Sequence, residues 1–563
     1  MNKLTFLFCF IFLASLSSLA QSKAYLDIGN VKALVNSNGL LFQDETNQMG
    51  SYEVPKGSGI NSIKSTAFWM TSMDTINNLI QYNYGFDAFG TMGNLNSIQT
   101  GPVDIVHQKK DTSSQFRRLW KINKSEIDFH IQNWSSPSYT IPASIMDWPG
   151  NGNANTAKIL APFKDLDGDS IYEPQMGEYP LIEGDQAIYV IANNFNDNLP
   201  DTIYDYIRGD TSKPWVFTDS TIYGTQSLTQ IEMHLMVYAY ANQPEEISNA
   251  VFIKAKLHNR SNSSKNDYAN FRFSVLSYFD LGFSRDNYLG TDTSRNMYYC
   301  YNGDNYDEST INNLGYGSNL GVQGLKFLDQ NIASTMRVPV NHNAVSGYYE
   351  FPFHVYNYQK NNWLNGVPLS YGGSGYYYEL SCGDSSKNPN FIFPGDPTLT
   401  GDTSQWTELN PCFGDSSKAI TPGDRRMIGS PDLPRNFLHK SSMEFNFAYV
   451  FARDSSSNIG SVTALQIAAD TVQAFFNKKT NGIQKVLKSR TEFTIYPNPA
   501  NNWVQISTKS KNFEIEVLDM KGSVLYRKTN SLQIDVSNFH SGIYFIRLIE
   551  ENQIQTKKLV IAK

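Results

Sequence analysis

The chain has 563 residues and a formal net charge of −7; 13% of its residues are aromatic and only 18% are charged. This length allows about two to four domains, and the aromatic-rich composition favours β structure over long charged helices. A mean hydropathy of −0.39 excludes a protein that crosses a membrane many times, and the acidic balance argues against nucleic acid as a partner.

The N-terminus predicts a signal peptide over residues 1–20. Lys3 precedes an apolar stretch, Leu4–Leu16, that is too short to span a bilayer. Ser18 and Ala20 are the small residues expected just before a cleavage site. We therefore expect a mature chain that starts after Ala20 and contains no transmembrane segment.

Residues 21–477 predict a β-rich secreted body of one or two subdomains. Apolar runs bounded by turn residues favour strands, the first two as a hairpin: Val31–Val35, Leu40–Phe42, Ile231–Tyr240, Val251–Leu257, Phe271–Phe279 and Phe445–Phe451. Two segments favour helices, a loosely periodic one within 111–135 and Ser461–Asn477, whose apolar residues fall on one face. The polar residues 478–492, which include Gly482, predict a linker after the second helix.

An acidic loop is the strongest sign of chemistry in the body. Carboxylates stand at alternate positions and a backbone carbonyl continues the series: Asp165, Asp167, Asp169, Ile171 and Glu173. Oxygen ligands on a turning backbone suit calcium, which takes about six to eight of them, so we predict a structural calcium site that is not an EF-hand. A solvated turn is the alternative for this loop. The same two readings apply to a second acidic region at residues 280–308.

Three cysteines remain once Cys9 leaves with the signal peptide, namely Cys300, Cys382 and Cys412. An odd number implies either one disulfide with one free thiol or three free thiols. Cys382 and Cys412 lie in near-duplicate loops that contain Gly-Asp-Ser-Ser-Lys, so we predict that these two pair. Cys300 stands among tyrosines, which favours a buried thiol over a nucleophile.

No catalytic residue is predicted. The zinc-protease motif His-Glu-x-x-His and the nucleophile elbow Gly-x-Ser-x-Gly are both absent from the sequence. The paired carboxylates of a glycosidase leave no mark in a sequence, because their pairing is spatial. A Gly- and Tyr-rich segment, Trp363–Tyr378, favours either rings packed inside a large β protein or exposed rings that stack on sugars.

Residues 493–563 predict a separate, small β-sandwich of the immunoglobulin type. Short alternating runs favour half-buried strands: Trp503–Ile506, Phe513–Leu518, Ile543–Leu548 and Lys558–Ile561. Pro497 and Pro499 cannot sit in a central strand and therefore mark the entry to this domain. For the whole chain we predict a mainly β fold, with a large body, one clear helix near its end and this small domain.

The C-terminal residues resemble the type A sorting domain of type IX secretion cargo. The resemblance rests on several ordered motifs, which include Pro497, Asn498, Pro499, Asp519, Gly522, Gly542, Tyr544, Lys557 and Lys558. It implies export across an outer membrane by the type IX secretion machinery, usually followed by removal of the domain. It also implies attachment to a surface glycan or lipopolysaccharide, so we expect a protein that is secreted or held at the outer-membrane surface.

The body resembles a recurring, uncharacterised family of large secreted proteins that carry the same tail. The motifs behind this resemblance are Tyr52–Gly59, Asp165–Glu173, Gly184–Gln186, Pro394–Pro397 and Pro422–Arg426. This resemblance implies no activity and no catalytic residues. Ser170 replaces a glycine of the family's acidic loop.

Two classes of function remain for the body. A non-catalytic adhesin, binding protein or matrix component fits an acidic, Tyr-rich chain without catalytic motifs. A secreted hydrolase that acts on polysaccharide or peptide is the alternative, since the same export route carries many hydrolases.

Overall fold

The structure, a computed structural model, describes most of the chain. The described residues are 21–74, 79–84, 98–194, 227–261, 267–311, 313–340, 347, 349, 352–380, 382–399, 401–487, 493–508, 513–519, 524–550 and 553–563. The predicted signal peptide and Gly522 of the sorting motif lie outside the described residues. The chain divides into two compact units, with the boundary between Phe476 and Asn477.

In its described part, the first unit is built on two sheets of nine strands each. The first sheet follows the order Lys23–Leu26, Lys32–Asn36, Tyr52–Glu53, Asn61–Asp74, Arg272–Phe279, Arg426–Pro431 and Ile332–Arg337. Leu79–Tyr84 pairs with Asn61–Asp74 as well, and Ser227–Leu228 pairs with Leu79–Tyr84. The second sheet follows the order Trp120–Asn123, Gln186–Asn193, Ile231–Ala239, Val251–Asn259, Ser442–Asp454, Leu320–Phe327, Met297–Asn302 and Asn287–Asp292, with Gln99–Thr100 added beside Gln186–Asn193.

Short elements complete the first unit. Two-stranded pairs form between Gln43–Asp44 and Met49–Gly50, between Val103–Asp104 and Lys109–Lys110, and between Phe163–Lys164 and Tyr179–Pro180. Among the described residues, the α-helices are Lys124–Asn133, Ala143–Met146, Glu245–Ser248, Pro352–Gln359, Tyr377–Leu380 and Asn458–Leu487, the last of which continues past the boundary at Phe476, and the 3-10 helices are Ser114–Phe116 and Pro174–Met176.

The two sheets pack face to face around a first hydrophobic core. Phe68 of the first sheet meets Phe447 of the second, and Phe273 meets Phe445, with ring centroids 6.2 Å and 4.6 Å apart. The hydroxyl of Tyr449, buried in the same core, makes hydrogen bonds of 2.6 Å with two hydroxyls of the first sheet. The Tyr449 hydroxyl is therefore paired within the core, and the body is a large β-sandwich.

The second sheet is also covered on its other face. The helix Asn458–Leu487 lays an apolar stripe against it, formed by Val462, Leu465, Ala468, Ala469, Val472 and Phe476. Strands in the middle of this sheet are consequently buried on both faces, as in Ile231–Ala239, where all nine residues are buried. Glu232 and His234 lie within that strand and are therefore buried polar side chains.

The predicted start and end of the last helix in the body are wrong. The helix predicted over Ser461–Asn477 spans Asn458–Leu487, so the predicted linker 478–492 is helical as far as Leu487. Gly482 does not end the helix, because an interior glycine costs a helix only about 1 kcal/mol relative to alanine.

The segment 111–135 is a strand followed by a helix rather than one helix. Trp120–Asn123 is an edge strand, and Lys124–Asn133 follows it directly. The helix starts there because Asn123 and Glu126 form a capping box, in which a Glu126 carboxylate oxygen accepts the Asn123 N–H at 3.0 Å. Ile127 and His130 are its buried residues, which leaves its other side chains at the surface.

The second unit contains two antiparallel sheets. One has the strands Thr494–Tyr496, Trp503–Ser507 and Gln533–Asp535, and the other has Val524–Thr529, Glu514–Leu518, Gly542–Glu550 and Gln553–Ile561. Apolar residues from both sheets share one core, which includes Val504, Ile506, Ile515, Val517, Ile546 and Leu548. The two units together confirm the prediction of a mainly β chain.

Candidate functional site

The acidic loop coils around its own carboxylates. Asp165 accepts the N–H of Gly168 at 2.6 Å and that of Ser170 at 3.0 Å, and Asp169 accepts the N–H of Ile171 at 2.7 Å. Gly168 and Ser170 have φ values of 86° and 66°, which turn the backbone inward. The bond from Gly168 is the main cause that lowers the pKa of Asp165, so this side chain is an anion.

Glu178, which the sequence analysis did not single out, binds the backbone of this loop. It is only 2% exposed, and its two carboxylate oxygens accept the N–H groups of Leu166 and Glu173, both at 2.8 Å. The chain reverses to reach it through the 3-10 helix Pro174–Met176 and through Gly177, whose φ is 91°. The spacing of the acidic series gives no signal for this residue, because the reversal depends on how the loop packs.

The carboxylates converge in two groups that share Asp167. Oxygens of Asp165, Asp167 and Glu178 lie within 4.8 Å of one another, and so do oxygens of Asp167, Asp169 and Glu173. All of these donors are carboxylate oxygens, the ligands that calcium prefers, and residues 165–178 contain no Lys or Arg to neutralise them. The donor set therefore fits a hard divalent cation. A role for the Ile171 carbonyl stays a prediction.

The second acidic region, residues 280–308, adds no comparable group among the residues that the structure describes. Asp307 is buried, and its oxygens accept the N–H groups of Phe283 and Tyr316 at 2.7 Å and 2.6 Å. Burial raises the pKa of Asp307 to about 6. These contacts favour the interpretation of the region as polar turns.

A buried network around Glu232 is a second feature absent from the predictions. One oxygen of Glu232 accepts the Val103 N–H at 2.7 Å; the other accepts Arg260 Nε at 2.9 Å and lies 2.9 Å from His234 Nε2. Nδ1 of His234 lies 2.8 Å from the Tyr189 hydroxyl. Burial alone would raise the pKa of Glu232, but Arg260, His234 and the Val103 N–H together hold it well below its usual range.

Of the three cysteines that the structure describes, two form a disulfide and the third is a buried thiol. Cys382 and Cys412 are joined with their Cα atoms 5.6 Å apart. Closing a loop of 30 residues could stabilise the fold by about 3–4 kcal/mol in the chain-entropy model. Cys300 is fully buried, and burial raises the pKa of its thiol well above the usual value, which makes it unsuited to act as a nucleophile.

The Gly- and Tyr-rich segment packs inward at its centre. Trp363 is fully buried and donates its indole N–H to the Gly375 carbonyl at 2.9 Å. Tyr371 stacks on Phe413, with ring centroids 5.6 Å apart, and meets Trp406 at 5.0 Å. These contacts favour aromatic packing over a surface of exposed rings, although Tyr377 at its end is exposed.

In the second unit, several motif residues meet at the C-terminal strand Gln553–Ile561. Asn498 donates to the Lys558 carbonyl and accepts the Val560 N–H, both at 2.8 Å, so its side chain pairs with that strand. Lys557 and Lys558 stand opposite Ile546 and Phe545, beside Tyr544 on the strand that Gly542 begins. Pro497 and Pro499 flank Asn498 in the bend before Trp503–Ser507, and Asp519 follows Glu514–Leu518.

Comparison with known proteins identifies the second unit. Residues 494–562 match the family model of the secretion system C-terminal sorting domain. The match supports the prediction that the chain is type IX cargo, exported to the extracellular space or the outer-membrane surface. The type IX machinery is therefore its partner during export. The resemblance of the body to an uncharacterised cargo family stays a prediction.

The other comparisons add little about the body. No curated protein matches the chain. Among the solved structures that match is a polysaccharide lyase, at 9% identity over 59% of this chain, with a TM-score of 0.16. The match spans 34% of the lyase's length, and a likeness this low carries no argument about the body. Among the described residues, none of the helices is long and apolar enough to cross a membrane.

Proposed function

We propose that the body is a non-catalytic binding or matrix component of the cell surface, delivered there by the sorting domain. The observation that carries this proposal is the state of the Glu232 network. A catalytic acid, base or nucleophile has to reach its substrate. Glu232, His234 and Tyr189 are instead 0%, 3% and 5% exposed, and their polar atoms are occupied by one another, by Arg260 and by backbone groups.

We further propose that calcium is a structural cofactor of the body. Asp165, Asp167 and Glu178 would hold one ion, and Asp169 and Glu173, sharing Asp167, form the more exposed group. The ion would supply the positive charge that residues 165–178 lack. It would fix the coil of the loop, because Glu178 already accepts the N–H groups of Leu166 and Glu173.

Attachment to a surface glycan or lipopolysaccharide is the last part of this proposal, and it follows from the resemblance of the tail to type A sorting domains. Intact mass of the protein recovered from the cell surface and from the medium tests it. We expect a surface form that lacks the sorting domain and carries added mass. A surface form with an intact sorting domain and no added mass would contradict the attachment.

The non-catalytic assignment is tested by turnover. The full exported chain is incubated with pooled plant and microbial polysaccharides and with casein, and new reducing ends, unsaturated products and peptides are measured. We expect none above the level of heat-denatured protein. Product formation in proportion to protein concentration would overturn the assignment and favour a secreted hydrolase or lyase.

A further inference from the structure

A cluster of exposed rings lies next to the acidic loop. Phe129 and Trp134, on and just after the helix Lys124–Asn133, are 56% and 39% exposed, and Met176 of the following 3-10 helix is 56% exposed. Tyr139 is half-buried, and its ring contacts those of Phe129 and His130. We call these four side chains the aromatic shelf. Single exposed apolar residues are normal, but rings in mutual contact on a small segment are not.

Contacts with neighbouring groups hold three rings of the shelf in place. The rings of Phe129 and Tyr139 lie 5.7 Å apart in an edge-to-face arrangement. The indole of Trp134 lies directly on the backbone of Gly177, where an added Cβ would come within 2.6 Å of the ring. One ring face is therefore covered by the backbone, and the exposed part of the indole is turned to solvent.

The buried His130 connects the shelf to the acidic loop. Its Nδ1 lies 3.2 Å from the Tyr139 hydroxyl, and its Nε2 lies 3.1 Å from the carbonyl oxygen of Glu178. Glu178 follows Gly177, on which Trp134 rests, and its carboxylate belongs to the first group of convergent oxygens. Rings held by buried contacts lose little entropy when a ligand binds, which favours a binding surface over a mobile one.

The chemistry of the surroundings selects the ligand. The C–H face of a sugar ring is apolar and packs on an aromatic face, while its hydroxyls need hydrogen-bond partners such as the carboxylates beside the shelf. Residues 165–178 carry five carboxylates against the single adjacent cation Lys164, and Lys124 on the helix is already paired with Asp128 at 2.6 Å. This balance repels polyanions and leaves uncharged saccharides as the complementary class.

We propose that the aromatic shelf binds a neutral saccharide chain, with Phe129 and Trp134 as the stacking residues. This inference rests on the proposed function, because it gives the ligand class of a binding protein. The loop beside the shelf would hold the backbone of Gly177 and Glu178 in place, so that calcium strengthens binding through the position of Trp134.

The test is isothermal titration calorimetry on the full chain in calcium buffer. The probes are cello-, xylo- and manno-oligosaccharides, with oligogalacturonate as the polyanionic probe. We expect at least one neutral series to bind and the oligogalacturonate not to bind. Phe129→Ala and Trp134→Ala should each weaken binding about tenfold or more, as the loss of an aromatic anchor does. Tyr306→Ala removes an equally exposed ring elsewhere in the body and should leave binding unchanged.

Melting temperatures of the variants separate a lost contact from a lost fold, and both rings are exposed enough that we expect no change. The inference is overturned if no neutral saccharide binds, if only oligogalacturonate binds, or if either variant with an unchanged melting temperature binds normally. Binding that depends on the shelf together with turnover of the bound saccharide would retain this inference and overturn the non-catalytic function.

Discussion

The negative charge of two carboxylate centres in the body is balanced in different ways. Glu232 is buried in the second sheet and obtains positive charge from the protein itself, through Arg260. The loop of Asp165, Asp167 and Glu178 gathers its charges without any Lys or Arg among residues 165–178. Its direct partners are backbone N–H groups, and Lys164 is the one cation directly before it, so most of the remaining charge has to be balanced from solution.

The difference indicates which centre belongs to the fold and which responds to the environment. Breaking a buried pair leaves an uncompensated charge whatever the solvent contains. A loop that depends on an ion is stable only in proportion to the concentration of that ion. Four measurements would break or sharpen this contrast.

The largest effect is expected from Glu232→Ala, which leaves Arg260 and the Val103 N–H without their partner. Removing one member of a buried ion pair costs about 3–5 kcal/mol of unfolding free energy, measured here by urea denaturation of the full chain. Glu444→Ala is the matched control, because its contact with Lys254, at 2.9 Å, is substantially exposed and should contribute less than about 1 kcal/mol. Equal losses for the two variants would remove the distinction.

Calcium should stabilise the body through the loop alone. At a concentration of about 100 times Kd, a ligand that binds only the folded state adds about 2.7 kcal/mol, so chelation should lower the melting temperature by several degrees. Glu178→Gln should abolish the response, whereas Glu232→Ala should keep it. A melting temperature that is indifferent to chelator, with no calcium in elemental analysis, would refute the ion.

The dependence of stability on pH should distinguish these anions from a third carboxyl group, that of Asp280. Burial raises the pKa of Asp280 to about 6, with Lys64 opposing and Asp424 reinforcing the shift. The folded state therefore holds this proton more tightly than the unfolded chain, whose value is near 3.8, so the associated stability is lost as the pH rises through 6. Asp165 is the reverse: its pKa is lowered, and its contribution is lost as the pH falls.

Asp280→Asn tests this sign. The variant should lose less stability than the unmodified chain as the pH rises from about 4 to about 7, when thermal unfolding is followed across that range in the presence of calcium. A parallel decline in the two proteins would show that Asp280 titrates normally in the folded state.

The smallest effect is expected from Lys124→Ala, which breaks an exposed pair with Asp128 one helical turn away, at 2.6 Å. Such pairs contribute about 0.3–0.5 kcal/mol. Urea denaturation at low and at high salt measures it, and salt should erase the difference because exposed charges are screened. This variant measures the effect of an exposed charge pair, with which the effects at Glu232 and at the acidic loop are compared.

Sequence reasoning succeeded where structure is decided locally. The strands predicted at Trp503–Ile506 and Ile231–Tyr240 are observed as Trp503–Ser507 and Ile231–Ala239, since a short apolar run between turn residues has few other uses. It failed at the end of the helix Asn458–Leu487, because polar residues and Gly482 predict a linker where the helix continues. An interior glycine costs a helix only about 1 kcal/mol, which is too little to end it there.

The candidate sites divide in the same way. Asp165, Asp167, Asp169 and Glu173 were found because alternating carboxylates are a local pattern. Glu178 was missed because only the reversal at Gly177 brings it back to them. The Glu232 network could not be found from the sequence at all. It joins Val103, Tyr189 and Arg260 through the pairing of distant strands, which no spacing along the chain records.

The order of strands in the second sheet has a consequence for how the protein is made. Ser442–Asp454 is the last strand of the body in sequence, yet it lies between Val251–Asn259 and Leu320–Phe327. During synthesis each of these two strands has an unpaired edge until the chain has grown past residue 454. Such edges pair readily with other chains. The body therefore cannot mature piece by piece, and a product stopped before residue 442 is a template for aggregation rather than a smaller version of the protein.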